Sequence, residues 1–314
     1  MNTASSRTSL GETRATTSTS ATIQARATIP AISFCETYTI TLGDVAENHV
    51  GMQKIGTLAS HGFGLSDLTT AKMWFEERKV ECELVSLHEL LPPELRRDDL
   101  LAYILVARRG LNALLHENEE DVTIEGEKKS IATADDFFKE QRSLNKDTKA
   151  FMYGRVVDKH ARHNLCFAEV SQEPDYDKGQ GRVVSFDEVP LLQRVRENLA
   201  EVIGDAGQNL SAEGNYYYNP SKCGIGFHGD SERRKVVGVR VGVTMPLHLV
   251  WFQNSKPISE RRIFQLGHGD VYMFSDKATG HDWKRKIVPT LRHAAGCQKF
   301  LDIKKTGDKP SSKK

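Results

Sequence analysis

The chain has 314 residues, with 43 Lys plus Arg against 42 Asp plus Glu and a formal net charge of +1. No stretch approaches the ~20 apolar residues a membrane helix needs, which excludes a spanning helix, and the even charge argues neither for nor against a nucleic-acid partner. Cys35, Cys82, Cys166, Cys223 and Cys297 are scattered with no Cys-x-x-Cys pair. That excludes a disulfide framework or a zinc ribbon and fits an intracellular compartment, cytoplasm or nucleus.

Residues 1–33 are rich in Ser, Thr and Ala, with Arg7, Arg14 and Arg26 against one acid, Glu12. They are expected to be disordered, although an acid-poor, Arg-bearing start also fits a mitochondrial transit peptide. Residues 34–117 read as a separate small α/β domain of unassigned role. Residues 37–42 alternate like a strand, and a polar cluster of Gly43, Asp44, Glu47, Asn48 and His49 follows. The cluster is read as a helix start capped by Asp44. Stretches 52–61, 68–78 and 100–116 have helical spacing, and 81–85 reads as a strand. Residues 118–149 are charged and read as a linker with a short helix at 135–142.

Beyond residue 150 the pattern changes. Residues 190–203 place Leu, Val and Ile at helical spacing and read as a buttressing helix. Runs 236–242, 247–252, 262–266 and 271–274 are short and β-rich, separated by Gly, Pro and Asn turns, the pattern of a barrel or double-sheet jelly roll. Between the helix and these strands lies Ile225-Gly-Phe-His228-Gly-Asp230-Ser-Glu232. A His and an Asp two apart on an extended backbone project from one face. With one more His they would form the two-His-one-carboxylate triad of non-haem Fe(II) oxygenases.

The segment from Tyr218 to Glu232, with residues 237–242 closing on glycine, His268-Gly-Asp-Val-Tyr-Met273 and Trp283, resembles the AlkB-like Fe(II)- and 2-oxoglutarate-dependent dioxygenases. The resemblance covers residues 150–305. It implies a double-stranded β-helix, within an α+β chain, that uses Fe(II), 2-oxoglutarate and O2. His228 and Asp230 would be iron ligands, Tyr218 would contact 2-oxoglutarate, and Glu232 would accept a hydrogen bond from a methylated base. The implied reaction is hydroxylation or oxidative demethylation, with N-alkylated bases of DNA or RNA as substrate.

The third ligand departs from the family pattern: Arg285 stands where Trp-x-His is usual. Two histidines are near. His293, in Thr290-Leu-Arg-His-Ala-Ala-Gly296, shares a strand face with small and apolar residues and is preferred to His281. The resemblance also calls for a cation on the far carboxylate of 2-oxoglutarate. The choices are coupled, since His293 inward turns Arg292 outward. The pairs are His293 with Lys304, or His281 with Arg292. Arg155 and Arg162 lie in the segment corresponding to the family's substrate lid, where they could grip phosphates. The same chemistry on a protein side chain stays open, as does a binding module that lost iron, which Arg285 would explain. Residues 306–314 read as a disordered basic tail.

Overall fold

The computed structural model describes residues 34–116 and 131–303. The two segments read as disordered, 1–33 and 306–314, and the lysine at 304 lie outside the described residues. The fold is α+β, built on antiparallel sheets. In chain order it runs β1 (Thr37–Gly43), β2 (Val45–Glu47), β3 (Lys54–Gly56), α1 (Leu65–Glu77), β4 (Cys82–Ser86), β5 (Tyr103–Ala107), α2 (Gly110–Leu115), α3 (Ala134–Ser143), β6 (Lys149–Met152), β7 (Arg155–Asp158), β8 (His163–Ala168), β9 (Val183–Ser185) and α4 (Pro190–Ile203). Then follow β10 (Ser211–Tyr217), β11 (Gly224–His228), β12 (Val236–Gly242), β13 (Met245–Gln253), β14 (Lys256–Pro257), β15 (Arg262–Leu266), β16 (Val271–Phe274), β17 (Thr290–Gly296) and α5 (Gln298–Leu301).

Eight strands form one sheet in the order β4-β5-β16-β12-β1-β10-β8-β9. A second sheet runs β11-β17-β13-β14, with β15 also on β13. From β10 to β13 successive strands alternate between the two sheets, and β16 and β17 alternate again. This weave stacks the sheets face to face. Trp251, Leu247, Leu249, Phe264 and Leu266 of the smaller sheet meet Tyr272, Phe274, Ile104 and Val106 of the larger one. The outer face of the larger sheet is covered by α1, α2, α3 and α4 through Phe75, Leu114, Phe137, Leu199 and their neighbours.

Strand β1 explains the architecture. Its alternation sends Tyr38, Ile40 and Leu42 into the helix-covered core and leaves Thr37, Thr39 and Thr41 on the opposite face. All seven residues are buried. It pairs with β10 on one side and β12 on the other, over 37–43 and 37–42. β5 likewise pairs with β16. The separate α/β domain expected over 34–117 therefore does not exist as such: β1 and β5 are interior members of the sheet that the second half completes, with β4 at its edge, and residues from Phe34 onward form one unit. Single-sequence patterning sees local period only, so it recognised β1 as a strand and was blind to its partners.

Three local expectations are also corrected. Stretch 52–61 is turn and the short β3, because β2 and β3 form a hairpin. Stretch 100–116 divides into β5 and α2; the buried run 104–107 sits in a sheet, where a continuous apolar run is as natural as in a helix. Asp44 caps no helix. Its Oδ1 accepts from the backbone N–H of Arg234 at 2.9 Å and of Lys235 at 2.8 Å, and its Oδ2 from that of Ala59 at 2.8 Å. The expected helices near 68–78, 135–142 and 190–203 are present as α1, α3 and α4.

Candidate metal centre

His228 ends β11 and His293 lies on β17, where the two are direct cross-strand partners. Opposed residues of an antiparallel pair carry their side chains on one face with Cβ atoms ~5 Å apart, and the ring centroids lie 4.4 Å apart. The register shifts between Ile225 and His228, a local irregularity that re-aims a side chain. Asp230 follows two residues later and turns Oδ1 toward both rings, 3.5 Å from His228 Nε2 and 3.4 Å from His293 Nε2. The three ligand atoms all lie within 4.8 Å of one another.

The protonation states suit a cation. His228 Nδ1 lies 2.8 Å from the Gly226 carbonyl. Donation there fixes the tautomer and presents the Nε2 lone pair to the centre. Burial, then the neighbouring His293, pushes the His228 imidazolium down to about 3, so the ring is neutral. Burial opposes ionisation of Asp230, but His293, Arg233 and His228 outweigh it and hold the carboxyl well below its usual range. Two imidazoles and one carboxylate converging on one point are a donor set that fits a divalent transition metal.

His281 is elsewhere. Its Nε2 is 3.1 Å from Arg234 Nη2 and its Nδ1 is 3.5 Å from Asp276 Oδ1. Arg292 projects from the opposite face of β17, with its guanidinium over the rings of Phe252 and Trp283, as alternation requires when His293 points inward.

The triad opens into a cavity of about 590 Å³ between the sheets. On the larger sheet, Arg240 of β12 is 1 % exposed, and its Nε and Nη1 have no hydrogen-bond partner. Thr39 of β1 is its cross-strand neighbour, and Thr39 Oγ1 is also buried without a partner. The Tyr217 ring centroid is 6.0 Å from the guanidinium, and Tyr272 is another buried neighbour of the same cavity. Unpartnered buried donors are rare and costly, and those around this guanidinium leave hydrogen-bonding capacity that an anion would fill. Burial pushes Arg240 below its usual value without threatening its charge.

A second wall is acidic: Glu47, Glu213 and Glu232 all line the cavity. Burial raises Glu232 to about 7 and raises Glu47 as well. The polar cluster Glu47-Asn48-His49 thus belongs to the pocket through the β2–β3 hairpin. Arg162 also lines the cavity, with Nε 2.5 Å from Asn215 Oδ1. Arg155, on β7, is exposed and outside it.

Tyr218 corrects an expectation. It is 40 % exposed, donates its hydroxyl to the His160 carbonyl at 2.9 Å, and stacks on His163. The cavity takes Asn215 and Tyr217 instead. In a strand, the neighbour of an inward residue faces outward, so a one-residue misregistration inverted the assignment. Arg240 was missed too. Its signal was present: a lone cation in Val236-Val-Gly-Val-Arg-Val-Gly242, a run otherwise buried and apolar.

No protein-family model matches the chain. It belongs to the same family as a protein of Acanthamoeba polyphaga mimivirus named "Uncharacterized protein R156", with 48 % identity over 266 residues, 85 % of this chain and 98 % of the viral one. Among the described residues, no helix is long and apolar enough to cross a membrane.

Proposed function

We propose that the protein is an Fe(II)- and 2-oxoglutarate-dependent dioxygenase on a double-stranded β-helix. The observation that carries this reading is the convergence of His228, Asp230 and His293 on one point beside a buried, unpartnered arginine. His228 and His293 would bind iron through Nε2, and Asp230 through Oδ1. The distal carboxylate of 2-oxoglutarate would seat on Arg240, with Thr39, Tyr217 and Tyr272 as neighbouring donors. This anchor replaces both lysine 304 and Arg292, and it comes from β12 instead of the chain following the third ligand.

When bound, iron with 2-oxoglutarate and O2 supplies the oxidising power to break a substrate C–H bond. The protein's own part is orientation and exclusion of water. Ala294 and Ala295 leave space beside His293, while Phe274 and Leu247 dry the inner wall. Glu232 faces the cavity and would accept a hydrogen bond from the substrate, which suits an N-alkylated base bearing an exocyclic donor.

Succinate formation from 2-oxoglutarate, measured with Fe(II), ascorbate and O2, tests the class. Turnover that requires His228, Asp230 and His293 is expected. A folded, iron-loaded protein that never decarboxylates 2-oxoglutarate sinks the proposal.

A further inference from the structure

Arg233 is a second buried arginine, close to Asp230 of the triad, and no ligand role accounts for it. Its side chain is 2 % exposed, and Nη2 donates to Glu213 Oε2 at 2.5 Å and to Glu232 Oε1 at 2.9 Å. Its Nε lies 3.8 Å from Asp230 Oδ2. Asp230 thus divides its oxygens, with Oδ1 toward the two imidazoles and Oδ2 toward the guanidinium. Desolvating a guanidinium costs several kcal/mol, and here three carboxylates together offset it.

The loop carrying Arg233 is itself held. Asp44 clamps the next two backbone N–H groups. A Cβ on Gly43 would fall 2.4 Å from the Lys235 carbonyl oxygen and 3.4 Å from Arg233 Cδ, so β1 must end on glycine for the loop to pack. Glu213, on β10, also accepts the Glu47 N–H at 3.1 Å. The guanidinium therefore joins the ligand loop to β10 and the β2–β3 hairpin.

We propose, building on the metal-centre reading above, that Arg233 is a positioning residue. It keeps Asp230 a one-oxygen ligand by holding a positive charge 3.8 Å from Oδ2, and it aims the free oxygen of Glu232 at the substrate by holding the other. The planar fork matters as much as the charge, because a lysine ammonium cannot span Asp230, Glu213 and Glu232 in fixed directions. Two effects of losing Arg233 oppose each other. Removing a positive charge favours a bound cation, whereas freeing Asp230 disfavours it. A charge-balanced change separates them.

The experiment compares Mn(II) affinity by calorimetry, and the visible spectrum of the Co(II)-loaded protein, in the wild type, Arg233→Met/Glu213→Gln and Arg233→Lys. The double variant leaves local charge unchanged and is expected to bind Mn(II) about 10–100-fold more weakly, the usual effect of losing a partner behind a ligand. Its Co(II) bands should shift as Asp230 changes its mode of binding. Arg233→Lys keeps the charge and secures a reading if the double variant does not fold; it should show the same band shift with a smaller loss. A purely structural arginine would lower the melting temperature and leave the bands in place, which overturns the proposal. So does Mn(II) affinity within twofold of wild type in both variants. A wild type that binds neither metal overturns the metal centre itself, a distinct failure that takes this proposal with it.

Discussion

Strands β1 and β17 are both seven residues long, both have partners on each side, and both line the same cavity. One carries His293; the other brings only threonines. The histidine-bearing strand could be singled out in the sequence because a histidine sharing a strand face with small and apolar residues is a candidate to complete a His-x-Asp pair. The other could be recognised as a strand but not as part of a site, since threonine on a strand is ordinary. Their structural weights run the other way. β1 fills the gap between β10 and β12, and without it the larger sheet is two separate pieces.

The sharpest way to break this comparison is to remove β1. Tyr38, Ile40 and Leu42 are fully buried, each worth ~1.5–3 kcal/mol, and the ladder to two neighbours goes with them. That total rivals the ~5–15 kcal/mol stability of a whole domain. A chain beginning at Asp44 should show no cooperative unfolding transition by circular dichroism. A folded product would restore the picture of an independent first domain.

The next largest effect falls on β17. His293→Ala should weaken Mn(II) binding by more than the ~100-fold that marks loss of an outer partner, while His281→Ala leaves it within about twofold. Calorimetry on both decides, and equal losses would dissolve the triad. Arg240→Met then sharpens the role of β12 against β1. Two charge-assisted hydrogen bonds at ~1.5–3 kcal/mol each predict a loss of 2-oxoglutarate affinity of roughly 100-fold or more, with metal affinity intact. Thr39→Val, on β1, should cost about tenfold or less. Equilibrium binding to the Mn(II) form gives both numbers, and unaltered 2-oxoglutarate affinity in Arg240→Met would remove the anchor.

A test on stability instead of binding concerns the hairpin's attachment. Lys159 Nζ donates to Asn48 Oδ1 at 2.6 Å, and Asn48 Nδ2 to Asp147 Oδ2 at 2.7 Å. Burial lowers Lys159 from 10.5 to about 8. Between those values the unfolded chain holds the proton and the folded one does not, so this group's contribution to stability rises with pH there and is least favourable below pH 8. Relative to Lys159→Met, the wild type should gain on the order of 3 kcal/mol between pH 8 and 10.5, read from urea midpoints. A constant difference would mean that Lys159 stays charged and paired.

Legibility followed chemistry more than position. His228 and Asp230 are one local motif, and His293 is preferred to His281 by strand alternation together with the small residues beside it; the structure brings those three together. α4 matched its expected bounds because amphipathic spacing over fourteen residues is a strong periodic signal. Tyr218 failed because choosing between adjacent tyrosines needs a strand register, and one residue of error turns the side chain to the other face. Glu47 and Glu213 are 166 residues apart and meet only through β2 and β10.

By itself the sequence determined that the chain has buried strands and amphipathic helices, that no run can span a membrane as a helix, and that one short segment puts a His and an Asp two residues apart. These are local properties, set by period, composition and donor type. The tertiary structure alone decided that β1 lies at the centre of the sheet, that Arg240 is the buried cation of the cavity, and that Arg233 stands behind Asp230. Each depends on which strands become neighbours, and that choice is made by sheet pairing over distances along the chain that no local pattern records.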